Sequence, residues 1–202
     1  MLTVFAGDPQ SDARAGDWDA RSGFSTEGQA ATSRREEDRE ACAFLGAKPQ
    51  WLTFGDEQYD RHGGEQEVWS AVASATASAD SVLVPGFPLT NADHAWLSEL
   101  LIRRGLACRR IALYAEQPYA FEARKAQREP SVAAPLKPLT DATVAWSRLR
   151  TSSVDRWAKH QAMRAYRSQL RLCGLARSGL YRMLWNEGRR GGEAVAWLPE
   201  TS

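Results

Sequence analysis

The sequence has little that would link it to export, to a membrane or to nucleic acid. Its three cysteines, Cys42, Cys108 and Cys173, are widely spaced and form no CxxC pair of the kind that signals zinc or redox chemistry. No apolar run reaches the roughly 18 residues of a membrane span, and residues 1–9 lack the pattern of a secretion signal. The formal charge of +1 leaves no basic footprint for nucleic acid. We expect a cytoplasmic protein without a membrane span or a nucleic-acid partner.

The sequence does have the composition of an ordinary globular protein. Hydrophobic residues make up 43% of the 202 residues, and charged residues make up 25%. A chain of this length can enclose one substantial core and is too short for two comfortable ones. We therefore predict a single domain over residues 1–202.

Short apolar runs alternate with helical patterns along most of the chain. Five runs are predicted to be strands: 2–6, 51–54, 81–85, 109–115 and 193–198. The predicted helices are 34–45, 65–78, a helix that carries 96–101 and ends at Gly105, and 152–172. This alternation favours a three-layer α/β domain with a largely parallel sheet.

Other stretches give weaker signals. Residues 7–32 and 173–192 are expected to be loops, and the pattern of 120–150 assigns no element. Two helix starts are marked by a capping box, in which two side chains satisfy free backbone N–H groups. Ser33 with Glu36 is predicted to start one helix, and Ser152 with Asp155 another.

Six segments together resemble the PIG-L (LmbE-like) family of N-acetylglucosaminyl deacetylases: TVFAGDP, WDARSGF, SRREEDREACAFLGAKPQWLTFGDEQY, VLVPGFPLTNADH, ALYAEQPYA and WAKHQAMRAYRSQL. They occur in the family's order and at about its spacing, and they span nearly the whole chain. The resemblance implies a Rossmann-like sheet. It also implies zinc-dependent hydrolysis of the N-acetyl group of an N-acetylglucosamine-type sugar on a lipid or small molecule.

The resemblance also assigns roles to individual residues. His94 matches a metal ligand, and Asp93 and Asn91 match catalytic positions, with Asn91 standing where the family has a histidine. Read from the residues alone, His94 is equally a hydrogen-bonded first-turn histidine, and Asp93 a helix-capping carboxylate.

Three further residues match sugar-contacting positions of the family: Arg34, Arg35 and Asp56. A planar guanidinium with several donors suits sugar hydroxyls. The alternatives are a solvated arginine near a helix start and a turn-forming aspartate after Gly55.

The family's first strand ends in His-Pro-Asp-Asp-Glu, and nothing of this kind precedes Leu2. The chain as given would therefore lack two zinc ligands and the general base, and a single imidazole does not retain zinc. We expect an impaired or inactive deacetylase; the alternative is a non-catalytic relative that binds a sugar or a protein. The lost strand would leave a sheet edge open, to be covered by direct pairing of its neighbours, by a second copy or by a partner chain.

Overall fold

The computed structural model describes residues 1–59, 63–140, 144–175 and 178–199. The chain divides into two compact units, each built from two separate stretches of sequence. The first unit is Met1–Val68 with Ser152–Trp185, and the second is Trp69–Thr151 with Asn186–Ser202. The organisation as a single domain over residues 1–202 stays a prediction.

Eight α-helices are present in the described part of the chain. They are α1 Asp17–Ser22, α2 Glu27–Leu45, α3 Glu65–Ala75, α4 Ala92–Arg104, α5 Tyr119–Lys125, α6 Ser153–Ala165, α7 Arg167–Leu170 and α8 Ser178–Arg189. The six described strands are β1 Leu2–Thr3, β2 Gln50–Trp51, β3 Ser81–Phe87, β4 Arg110–Ala115, β5 Trp146–Leu149 and β6 Glu193–Trp197. Short 3-10 helices cover Glu57–Tyr59 and Ala134–Leu139.

The first unit is built around helix α2. Strands β1 and β2 pair in parallel, with Leu2 opposite Gln50. Helix α6 packs against α2 through a buried cluster of small residues, Ala41, Ala162 and Ala165. Small side chains at these positions let the two helices approach closely.

Helix α2 starts earlier than the sequence predicts. Thr26, not Ser33, is its N-cap, and the Thr26 hydroxyl accepts a hydrogen bond from the Gln29 N–H at 3.2 Å. The misleading residue is Gly28, which usually weakens a helix. Here it is needed for space, because a Cβ at this position would lie 2.6 Å from the Ser11 carbonyl oxygen. The predicted end is confirmed, since Gly46 adopts a left-handed conformation (φ 62°) as the C-cap.

The predicted helix over 152–172 is two helices. Its capping box is confirmed, because Ser152 and Asp155 exchange both hydrogen bonds. The helix breaks at Tyr166, whose backbone (φ −78°, ψ 60°) is not helical. The Tyr166 hydroxyl donates to Asp38 on α2 at 2.8 Å, so the residue at the break is tied to α2 by a partly buried hydrogen bond.

The second unit contains a four-stranded sheet in the order β3-β4-β6-β5. Strands β3 and β4 are parallel, whereas β6 runs antiparallel to both of its neighbours. The α/β class is confirmed, and the sheet of this unit is mixed rather than largely parallel. Among the described strands β3 pairs only with β4, so β3 is an edge strand and the predicted direct pairing of 81–85 is not found there.

Several helices and one strand lie in ranges where the sequence predicts a loop or assigns no element. Residues 7–32 contain α1 and the start of α2, residues 120–150 contain α5 and β5, and residues 173–192 contain α8. In α8 the buried Leu180, Met183 and Leu184 recur at helical spacing, but Gly179 and Gly188 obscure that pattern. Within the described ranges, no helix is both long and apolar enough to cross a bilayer.

Candidate functional site

A cleft in the first unit lies beyond the carboxyl ends of β1 and β2, the side of a parallel sheet on which ligands usually bind. Polar and charged side chains from three separate segments meet there. The lining residues are Phe5, Ala6, Gly7, Asp19, Glu27, Ala31, Arg34, Asp56 and Tyr59. Two of the three predicted sugar-contacting residues, Arg34 and Asp56, therefore share one cleft.

Arg34 is held in this cleft by a buried carboxylate. Its Nη2 forms an ion pair with Asp19 Oδ1, and Asp19 is only 1% exposed. The other oxygen, Asp19 Oδ2, accepts a hydrogen bond from the Tyr59 hydroxyl at 2.7 Å. The Tyr59 oxygen in turn accepts from the Gly16 N–H at 3.0 Å. Because Tyr59 holds Asp19 and Asp19 holds Arg34, the guanidinium of Arg34 has a defined position.

Tyr59 acts in this network as a permanent donor. Burial of its phenol and the hydrogen bond to Asp19 raise the pKa of Tyr59 to about 12. The hydroxyl therefore stays protonated at neutral pH, and the negative charge of the network stays on Asp19.

The two adjacent arginines have different surroundings. Arg35 donates from Nη2 to the Gly7 carbonyl oxygen at 2.8 Å, and its guanidinium lies over the Trp51 ring at 5.9 Å. Arg35 thus supports the loop that follows β1. Arg34 faces the cleft, so the structure separates two residues that the sequence treats alike.

Asp56 forms a turn, as one of its two sequence interpretations predicts, and it also lines the cleft. Its carboxylate accepts from the Gln58 backbone N–H and from Gln58 Nε2, both at 3.0 Å. This Asx-type contact starts the short 3-10 helix Glu57–Tyr59, which carries Tyr59 toward Asp19. The turn and the cleft position are therefore compatible.

In the second unit, His94 is paired with a buried glutamate. His94 Nδ1 contacts Glu116 Oε2, and the Glu116 side chain is 3% exposed while the histidine is 41% exposed. Glu116 Oε1 also accepts from the Leu89 N–H at 3.2 Å. A carboxylate on Nδ1 fixes the orientation of an imidazole and leaves Nε2 to bind a metal or carry a proton.

Asn91 positions His94 by capping helix α4. Its Oδ1 accepts from the Asp93 N–H at 2.9 Å and from the His94 N–H at 3.1 Å. The capping side chain is thus Asn91, and Asp93 is a buried residue of the first turn. The catalytic roles of Asn91 and Asp93 and the metal-ligand role of His94 stay predictions.

Three members of these clusters were missed by sequence reasoning: Glu116, Asp19 and Tyr59. The position of Glu116 in the sequence could have identified it. Glu116 directly follows β4, and the loop that leads to His94 follows β3, the parallel neighbour of β4. Asp19 and Tyr59 carry a weaker signal, since each lies in a stretch without clear periodicity.

A zinc site needs three protein ligands and an open position. In the part of the chain that the structure describes, no group of three or more His, Cys, Asp or Glu side chains is placed to hold a metal ion. The His94–Glu116 pair supplies one oriented imidazole, whose Nδ1 is already engaged. The described residues therefore do not fit a complete zinc centre.

Solved structures of glycopeptide-pathway deacetylases share this fold. The chain is 22% identical to the A40926 pseudoaglycone deacetylase, with a TM-score of 0.71 over 98% of this chain and 83% of that one. It is 18% identical to the zinc-inhibited form of a teicoplanin deacetylase (TM-score 0.73; 100% and 87% covered). A deacetylase–teicoplanin complex is 16% identical (TM-score 0.70; 100% and 86% covered). No protein-family model and no curated protein matches the chain.

Proposed function

We propose that this protein binds an N-acetylated amino sugar, carried by a lipid or a small molecule, over the mouth of the small cleft of the first unit, whose enclosed volume is about 10 Å³. The observation that carries the proposal is the Arg34 guanidinium, fixed by Asp19 and Tyr59 at a cleft that Asp56 also lines. The fold shared with the A40926 pseudoaglycone deacetylase and the teicoplanin deacetylase supports it.

The chemistry of the cleft suits a neutral polyol. A sugar presents vicinal hydroxyls that both donate and accept, and it needs donors and acceptors placed side by side. Arg34 supplies directed N–H donors, and Asp56 supplies carboxylate acceptors. Asp19 compensates the charge of Arg34, and the carboxylates of Glu27 and Asp56 in the same lining disfavour an anionic ligand.

Binding of methyl N-acetylglucosaminide, followed by saturation-transfer NMR or calorimetry, tests this proposal. We expect Arg34→Gln to weaken binding by about tenfold or more, since a hydrogen bond to a charged group contributes roughly 1.5–3 kcal/mol. Arg39→Gln is the matched control, because Arg39 lies on the same helix and stacks on Trp51 at 4.8 Å. Equal affinity of both variants, or no binding by the unmodified protein, would contradict the proposal.

A second candidate function is zinc-dependent N-deacetylation of an N-acetylglucosamine-type sugar, with His94 as a ligand and Asp93 and Asn91 as catalytic groups. The orientation of His94 by Glu116 favours it. Zinc would supply an activated water and polarise the amide carbonyl. Since the described residues do not form a complete site, we derive no hydrolytic step and retain this function as the alternative.

Zinc titration separates the two candidates. Stoichiometric binding that is lost in His94→Ala, together with release of free amine from the N-acetyl sugar, would establish the enzyme. Sugar binding without either result would establish the non-catalytic role. Thr76→Ala, in the second unit, is a control for a general loss of structure.

Two further features belong to this proposal. A second copy or a partner chain would cover the edge of β3, whose outer backbone groups pair with no other described strand. Light scattering would show a dimer, and Val82→Pro should abolish it. The three free cysteines fit a reducing, cytoplasmic location.

A further inference from the structure

One exposed carboxylate of the second unit, Glu129, contacts two arginines and lies within electrostatic reach of a third. Arg190 Nη1 donates to Glu129 Oε1 at 2.6 Å, and Arg148 Nη2 lies 3.9 Å from Glu129 Oε2. Arg124, in the last turn of α5, is the third. All three guanidinium groups lower the pKa of the Glu129 carboxyl, with Arg190 acting most strongly through its hydrogen bond.

Arg124 is the unusual member of this cluster. It is only 9% exposed, its Nε is buried without a partner, and the described residues provide no hydrogen bond to its side chain. Burial and the neighbouring Arg148 and Arg190 lower its pKa. A buried guanidinium beside two like charges is costly unless an anion compensates it.

Glu129 compensates this charge only in part. Its oxygens lie against Arg190 and Arg148, and neither of them accepts a hydrogen bond from Arg124. The Glu129 side chain is also 63% exposed, which makes its displacement into water inexpensive.

We propose that Arg124, Arg148 and Arg190 form a binding site for the phosphoryl group of a phosphate monoester, with Glu129 as its displaceable internal occupant. A monoester presents three free oxygens, one for each guanidinium. When Glu129 leaves, the three arginines and the buried Glu187 have a formal charge of +2, which matches the −1.5 to −2 of a monoester at about pH 7.

The test measures binding of inorganic phosphate and methyl phosphate by calorimetry at low ionic strength, where screening is weak. Both probes should bind, and dimethyl phosphate, with two free oxygens, should bind about tenfold more weakly. Glu129→Gln should tighten phosphate binding by about tenfold, since it removes the competing charge and keeps the shape of the side chain.

Arg148→Gln and Arg190→Gln should each weaken phosphate binding by about tenfold or more. They are preferred to changes at Arg124, whose burial makes misfolding a risk. Arg110→Gln is the control, because Arg110 stacks on Trp197 at 4.6 Å in the same unit, outside the cluster. Absence of phosphate binding, or Glu129→Gln binding no more tightly than the unmodified protein, would overturn the proposal.

Discussion

Single buried carboxylates organise the first unit. Asp38 accepts from the Tyr166 hydroxyl at 2.8 Å, from Trp51 Nε1 at 2.6 Å and from the Thr3 hydroxyl at 3.1 Å. Three donors around one carboxylate satisfy it in the absence of a cation. Asp19 in the cleft differs in having a cation, Arg34, beside its second donor, the Tyr59 hydroxyl. The unit therefore depends on a few acidic residues, each shared by distant parts of the chain.

Because of Tyr59, the stability of the folded protein should fall as the pH rises in the alkaline range. An unfolded tyrosine titrates near pH 10, whereas the folded Tyr59 titrates at about 12. Because the folded pKa is the higher one, this contribution is complete below about pH 10 and is lost as the pH rises toward 12.

We therefore expect a smaller loss of stability between about pH 10 and 12 in Tyr59→Phe than in the unmodified protein. Urea unfolding at a series of pH values measures this difference. An identical pH dependence in the two proteins would mean that Tyr59 does not donate to Asp19.

At the scale of elements, the start of α2 gives a direct comparison of two candidate caps. Thr26→Ala removes the observed cap and should lower the free energy of unfolding by about 1 kcal/mol. Ser33→Ala changes an interior position of the helix and should stay within about 0.5 kcal/mol of the unmodified protein. Chemical denaturation measures both, and a larger cost at Ser33 would place the helix start where the sequence predicts it.

The elements that sequence reasoning predicted well have uninterrupted apolar runs and clear ends. The sequence predicts β3 because 81–85 shows no alternation of polar and apolar positions, β4 because an apolar run follows the two arginines of 109–115, and α4 because Gly105 ends it. Helix α8 was missed because its pattern is short and contains two glycines. Local signals thus identify elements whose own residues determine their boundaries.

The candidate sites were predicted only in part for a different reason. His94 and Arg34 stand at recognisable positions, but their partners Glu116 and Asp19 lie 22 and 15 residues away along the chain. Such pairs depend on strand register and loop path, which the sequence alone does not specify. The same holds for Arg124 in α5, Arg148 in β5 and Arg190 in the turn after α8.

At the scale of the whole molecule, the first unit is completed by a late part of the chain. The Ser168 N–H and hydroxyl both donate to the buried Glu37 at 2.8 Å, and Tyr166 donates to Asp38. Helix α6 also covers one face of α2. Without residues 152–185, two buried carboxylates would lose donors and α2 would lose its packing partner.

We expect a chain shortened to residues 1–151 to lose the hydrogen-exchange protection of the α2 amides. Leaving a buried charge short of partners costs roughly 3–5 kcal/mol, a large share of the stability of a unit of this size. Exchange measured by mass spectrometry on both chains tests this, and full protection of α2 in the shortened chain would contradict it. Arg14→Gln, a change before α1, serves as the control and should leave the protection of α2 unchanged.

The interleaved order of the two units affects how the protein is made. A ribosome releases the amino-terminal stretch first, but the helix that packs on it emerges only after the whole middle of the chain. The middle stretch likewise waits for β6, near the carboxyl end, to complete its sheet. The first unit therefore cannot finish folding before α6 has emerged, nor the second before β6, and until then their apolar surfaces stay exposed.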